Sequence, residues 1–159
     1  MILHYQIIKS PIGDIHIATD TRYLRVLVSS RNWDKYKSKF GETIEKNHPI
    51  LEKTKRQLEE YFAKRRRTFN IPIFFEGTDF QKKAWRALLN IPYGKTISYA
   101  TQAENIGSPK AVRAIGGANG ANPISIIIPC HRVIGKSGKL TGYASGLDIK
   151  EYLLNLENT

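Results

Sequence analysis

The hydrophobic period of the chain changes at Thr78, and this change constrains its folding more than any other feature. Before it, apolar residues alternate. Ile15-His16-Ile17-Ala18 and Leu24-Arg25-Val26-Leu27-Val28 fit two half-buried strands, with Asp20 and Thr21 supplying the turn between them. Residues 2–8 predict a strand before these, joined through Ser10-Pro11-Ile12-Gly13. From Pro49 to Lys64 the set Ile50, Leu51, Leu58, Tyr61 and Phe62 recurs at helical spacing, with Pro49 suited to the first helical position. Phe69 to Phe75 is an apolar run whose proline assigns it to a sheet edge or a connector. Residues 1–76 are therefore expected to form a small α/β scaffold domain with an antiparallel sheet and no visible chemistry.

From Thr78 onward the period is helical. Thr78 and Gln81 have the capping-box spacing, and Phe80, Ala84, Ala87, Leu88 and Ile91 trace one helix face. Ser98 caps a short helix, Tyr99 to Asn105, that stops at Gly107. Ser108 as cap and Pro109 at the first helical position predict another, running through Lys110 to Ala118. Two short helices joined by a glycine turn are the pattern of a helix-turn-helix. Residues 77–159 are read as a second, helical domain.

Composition bounds the function. A length of 159 residues suits one ordinary domain or two small ones, and 41% hydrophobic residues suffice for a core. No apolar run approaches the roughly 18 residues of a membrane span. The opening MILHYQIIKSPIGD has neither the basic leader nor the cleavage site of a secretion signal. A single cysteine excludes an internal disulfide and any structural zinc site built on two thiolates. A soluble intracellular protein without a membrane partner is expected. The net charge of +11 favours polyanions, and between Phe80 and Lys139 nine basic residues accompany one acid, Glu104, as a phosphate-facing surface would require. The run Lys64-Arg65-Arg66-Arg67 follows a helix and is read as structural.

The second helix of the pair is poor in bulk. Ala111, Ala114, Gly116, Gly117 and Ala118 leave a slim face, fit either for close packing on a neighbouring helix or for approach to a nucleic-acid groove. Arg113 projects from it. The only thiol, Cys130, sits in Ile126-Ile127-Ile128-Pro129-Cys130-His131-Arg132. It is either a small buried hydrophobe or a nucleophile that His131 and Arg132 activate. The basic, glycine-containing loop from Gly135 to Tyr143 could close over a substrate.

Pro129-Cys130-His131-Arg132-Val133, with Asn122-Pro123 before it and Gly142-Tyr143 and Gly146-Leu147 after it, resembles the O6-alkylguanine-DNA alkyltransferases, also called methylated-DNA–protein-cysteine methyltransferases. The likeness covers about residues 78–157. It implies a ribonuclease-H-like N-terminal domain and a winged helix-turn-helix C-terminal domain, working without metal or cofactor. The partner it implies is double-stranded DNA containing alkylated guanine, with alkylated thymine as a further substrate. A monomer working in the cytoplasm, or in the nucleus of a eukaryote, would flip the base out of the duplex and move its alkyl group irreversibly to Cys130.

By the same resemblance, Glu157 and His131 relay a proton from the thiol, Tyr99 helps the guanine leave, and Asn122 braces the turn before the active segment. Arg113 fills the gap in the base stack, with Ala111, Ala114, Gly116, Gly117 and Asn119 along DNA. Cys130, Val133, Tyr143, Ala144 and Ser145 contact the base. Ala144, Ser145 and Asn119 depart from the family's better-known members, which bears on the contact with the base oxygen, the tolerance for bulky alkyl groups and the stacking on neighbouring bases. Two rivals are a non-reacting lesion binder, which the presence of Cys130 disfavours, and a winged-helix regulator with a redox-sensing thiol.

Overall fold

A computed structural model describes residues 1–159, which divide into two compact units, Met1–Phe75 and Glu76–Thr159. In the first unit β1 (Ile2–Ile8), β2 (Ile15–Thr19), β3 (Leu24–Ser29) and β4 (Glu42–Glu45) form one sheet in the order β3-β2-β1-β4. The pairs β1–β2 and β2–β3 are antiparallel, as the alternating pattern predicts. The sheet is nonetheless mixed, because β4 joins β1 in parallel, with Leu3 opposite Thr43. A parallel neighbour needs a crossover rather than a hairpin, and helix α1 (Trp33–Lys37) lies within that crossover. Glu-Thr-Ile-Glu is too short and polar to announce itself as a strand.

Strand β2 is buried along its whole length, not on one face. Trp33 and Tyr36 of α1 pack with Leu3, Ala18, Val26 and Val28 on one side, where His16 stacks on Trp33 at 4.7 Å. Helix α2 (Pro49–Phe62) packs on β1 and β2 and buries Leu51, Leu58 and Tyr61. The 69–75 segment runs along β3 through Leu24 N–H to Pro72 O (2.7 Å) and Phe74 N–H to Leu24 O (3.2 Å). Pro72 contributes only its carbonyl, the one backbone group it has to give.

In the second unit α3 (Asp79–Leu88) begins at a complete capping box between Thr78 and Gln81. Helix α4 (Tyr99–Asn105) is capped by Ser98, whose Oγ accepts from Thr101 N–H at 3.0 Å. Gly107 follows with a φ of 76°, a conformation that favours glycine. Helix α5 (Val112–Gly120) starts later than expected. Ser108 and Pro109 occupy the first two places of a turn closed by Ala111 N–H to Ser108 O (2.9 Å), the positions where serine and proline favour a turn. Ala111 is thus the residue before the helix. Strands β5 (Ile97–Ser98) and β6 (Val133–Ile134) form a two-residue parallel pair, and α6 (Leu147–Glu157) completes the unit.

Helices α3, α4 and α5 share a core of Ala84, Ala103, Ile115 and Ala118. Two buried polar locks fix their register. Trp85 Nε1 donates to Ala118 O at 2.8 Å, and the carboxamides of Gln102 and Asn119 exchange bonds of 3.0 and 2.8 Å. Replacing Asn119 with alanine removes the donor to Gln102 Oε1 and leaves Nε2 only its longer bond to Ala84 O (3.3 Å), at an expected cost of about 1–3 kcal/mol. Calorimetry should show it as a lower melting temperature, and an unchanged melt would deny the pair a stabilising role.

Candidate active site

The active segment is built by Asn122. Its Oδ1 accepts from Ile124 N–H (2.9 Å), while Nδ2 donates to Ile128 O (2.7 Å) and to Cys130 Sγ (3.2 Å). One side chain thereby spans the loop that presents the sulfur. Within this loop Ile126 is held at a φ of 71°, a conformation costly for a β-branched residue. Cys130, His131 and Arg132 then form a single 3-10 turn, closed by Arg132 N–H to Pro129 O at 3.0 Å.

The turn sends its side chains in different directions. Cys130 faces a cleft of about 440 Å³, walled also by Tyr99, Arg113, Gly116, Asn119 and the 141–144 loop. This volume lies in the range of small-molecule pockets and admits a purine. His131 is fully buried, with Nε2 2.7 Å from Glu157 Oε2, while Nδ1 has no hydrogen-bond partner in the protein. Arg132 turns away from the sulfur and forks onto Glu157, with Nε to Oε1 at 2.8 Å and Nη2 to Oε2 at 3.1 Å. The expectation that Arg132 favours the thiolate, and that it belongs to a phosphate-facing surface, is corrected by this geometry.

The cation that acts on the thiol is Lys150, on α6. Its ammonium is fully buried, donating to Thr141 O at 2.9 Å and to Tyr99 Oη at 3.4 Å. Tyr99 Oη in turn donates to Thr141 O at 3.0 Å, so both residues hold the loop that walls the cleft. Sequence reasoning gave Lys150 no role. Its signal was available, since Lys150, Leu153 and Glu157 recur at helical spacing on the buried side of α6.

Burial pushes the Cys130 thiol above its ordinary value, opposed by the Asn122 bond, Lys150 and a hydrogen bond with Tyr143. Burial lowers His131, with Glu157 pulling upward and Arg132 and Lys150 reinforcing the decrease. The phenol of Tyr143 is raised well above its ordinary value by burial and by the adjacent Cys130. At neutral pH the resting site holds a thiol and a neutral imidazole.

Of the remaining expected contacts, Gly116, Tyr143 and Ala144 line the cleft. Arg113 and Ala114 are exposed on α5, as are Gly116 and Gly117, and a Cβ added at either glycine meets nothing within 4 Å. Close helix packing therefore accounts for Ala118, which lies in the core, but not for Ala114, Gly116 and Gly117. Two residues sit otherwise than expected. Asn119 touches the cleft but commits its amide to Gln102. Ser145 is buried outside the cleft wall, which its neighbour Ala144 lines. The Val133 side chain is buried as well, and the contact expected there is its backbone carbonyl.

A lone thiol bonded to an amide, with a buried histidine–carboxylate pair beside it and a cleft that opens next to a slim exposed helix, is the arrangement of a protein whose chemistry rests on one cysteine. The chain belongs to the 6-O-methylguanine DNA methyltransferase family. Residues 79–159 match that family's DNA binding domain, and residues 3–75 its ribonuclease-like domain. A methylated-DNA–protein-cysteine methyltransferase of Methanosarcina acetivorans is 50% identical over 157 residues, covering 99% of each chain. The constitutive enzyme of that name from Bacillus subtilis is 47% identical, over 97% of this chain and 94% of its own. Among solved structures, Mycobacterium tuberculosis OGT in complex with DNA aligns with a TM-score of 0.88 at 44% identity, covering 98% of this chain and 92% of that one. An O6-methylguanine DNA methyltransferase from Methanococcus jannaschii aligns at 0.66 and 29%, over 96% and 93%.

The elevated thiol has a direct consequence. Iodoacetamide should modify Cys130 slowly at pH 7, with the rate climbing through and beyond 9.0, the ordinary thiol value. Lys150→Met should move that profile to still higher pH. A rate already at its plateau by pH 7 would reveal a resting thiolate and contradict the electrostatics.

Proposed function

We propose that this chain repairs double-stranded DNA containing O6-alkylguanine, as a monomer in the cytoplasm, by moving the alkyl group to Cys130 in one irreversible event. The observation that carries the reading is the Cys130 sulfur at the wall of a purine-sized cleft, with His131 and Glu157 bonded behind it. Residues 1–76 serve as scaffold and residues 77–159 as the DNA-binding and alkyl-accepting domain. The base must leave the stack, because no side chain reaches the alkyl carbon in line while the base is paired.

The slim face of α5 lies against the groove, with Ala114, Gly116 and Gly117 allowing close approach. Arg113, exposed at the mouth of the cleft, enters the space that the base vacates. Inside, the guanine lies between Tyr143 and the α5 wall, held by backbone groups of Cys130, Val133 and the 144–145 loop.

The thiol proton passes to His131 Nδ1, directly or through water, as Glu157 holds the opposite nitrogen. The sulfur forms its bond to the alkyl carbon while the carbon–oxygen bond breaks, and the electron pair leaves on the guanine. Tyr99 stabilises that charge with a hydrogen bond at a ring nitrogen, moving its proton off Thr141 O to do so. The restored guanine, still part of its strand, gains one proton in place of the alkyl group, equal to the one the thiol gave up, and the thioether remains. No cofactor enters the balance.

Incubation with a methylated duplex should leave the Cys130 peptide heavier by one methyl group, in at most one copy per chain. Repaired DNA beside an unmodified peptide would overturn the reading. Cys130→Ala should abolish transfer while retaining preference for the lesion, since it removes the nucleophile and leaves the cleft. Arg113→Ala should weaken lesion binding by a similar factor in every sequence context. A loss confined to one sequence, or selective binding of undamaged DNA, would favour a transcription regulator instead.

A further inference from the structure

Glu157 is saturated with donors. Its Oε1 accepts from Arg132 Nε (2.8 Å) and Gly94 N–H (3.3 Å), and its Oε2 from Arg132 Nη2 (3.1 Å) and His131 Nε2 (2.7 Å). The guanidinium is fixed from two further directions. Its Nη1 donates to Ile91 O at 2.7 Å, and it lies 5.8 Å from the centre of the Tyr93 ring. Arg132, His131 and Glu157 are all buried. We propose that Arg132 is a positioning residue whose guanidinium absorbs the charge of Glu157, so that His131 stands behind Cys130 as a neutral imidazole with its proton on Nε2.

The reason is charge balance in a dry site. A buried carboxylate needs a cationic partner. Were His131 the only available partner, protonating it would neutralise Glu157, and the imidazolium would have no lone pair left for the thiol proton. With Arg132 in place the carboxylate is already paired. His131 then needs to offer only a hydrogen bond, and Nδ1 keeps its lone pair. The other charged and titratable groups around His131 agree. Lys150 on α6 opposes a second positive charge, while Cys130 and Tyr143 are neutral at rest. Glu157 alone favours protonation, and Arg132 counters it.

The inference rests on the reading of His131 as proton acceptor, but its test separates the two. The imidazole of 15N-histidine-labelled protein is followed by NMR from pH 5 to 9 in the wild type, Arg132→Gln and Arg132→Lys. Single-turnover transfer from a methylated duplex is measured over the same range. The wild-type His131 should remain a neutral Nε2–H tautomer below 6.5, the ordinary histidine value. Arg132→Gln should raise its titration, and the acid limb of the transfer rate should follow. A limb raised by one pH unit means about tenfold slower transfer on its acid side, with recovery as pH rises. Arg132→Lys keeps the charge and should retain the neutral imidazole.

A uniform loss of rate at every pH, with imidazole titration unmoved, would make Arg132 merely structural and overturn the proposal. So would a wild-type His131 protonated above 6.5, a result that needs no variant to fold. If the imidazole shifts as expected while transfer ignores it, the proposal stands for the charge and the role of His131 as acceptor fails.

Discussion

The carboxylate of Glu157 is the constraint on which the second unit's chemistry depends. It lies at the end of the last helix, where a charged side chain would ordinarily be solvated, yet it is buried with four donors around it. An isolated ion there would cost several kcal/mol, so the donors must assemble together or not at all. Gly94 supplies its amide from a tight turn at a φ of 77°, where an added Cβ would sit 3.2 Å from Glu157 O. The turn after α3, the Cys130–Arg132 turn and the end of α6 are consequently one electrostatic object, and the sulfur's position follows from it.

What the sequence made legible was chiefly local. The caps at Thr78 and Ser98 and the glycine stop at Gly107 have all their partners within a few residues, so spacing alone specifies them. Strand β4 was hidden because its pairing with β1 spans some forty residues and its composition is polar. The start of α5 was misplaced for a local reason, since Ser-Pro serves turns as well as helix starts. Within the site, Cys130, His131 and Glu157 were readable through family resemblance, whereas the direction of Arg132 was not. Adjacency to a cysteine says nothing about which way a side chain leaves a 3-10 turn. Lys150 and Asn119 share that opacity, being polar residues whose partners are set by tertiary structure.

Helix α5 shows how an intrinsically weak element is kept in place. Two consecutive glycines cost about 1 kcal/mol each relative to alanine, and their outer surface touches nothing. The compensation comes from the inner face, where Ile115 and Ala118 are buried and the Trp85 and Gln102 bonds fix the backbone and Asn119. Stability and surface are thus divided between two sides of one helix. Larger residues outside would strengthen the helix but add bulk on the face proposed to meet a groove.

The same division appears at the sulfur. A nucleophile that is consumed by its first reaction gains from being unreactive until the right partner arrives, and burial holds Cys130 as a thiol at rest. Asn122, Lys150 and Tyr143 oppose that burial without overcoming it, so the thiolate is not the resting form. On the proposed mechanism, a base entering the cleft brings an electrophilic carbon to the sulfur, and a neutral His131 takes the proton. Bond formation and proton loss then reinforce each other, which no diffusing electrophile outside the cleft can exploit to the same degree. On that mechanism, selectivity for a damaged base would come from coupling the thiol's ionisation to occupancy of the cleft, rather than from a permanently activated cysteine.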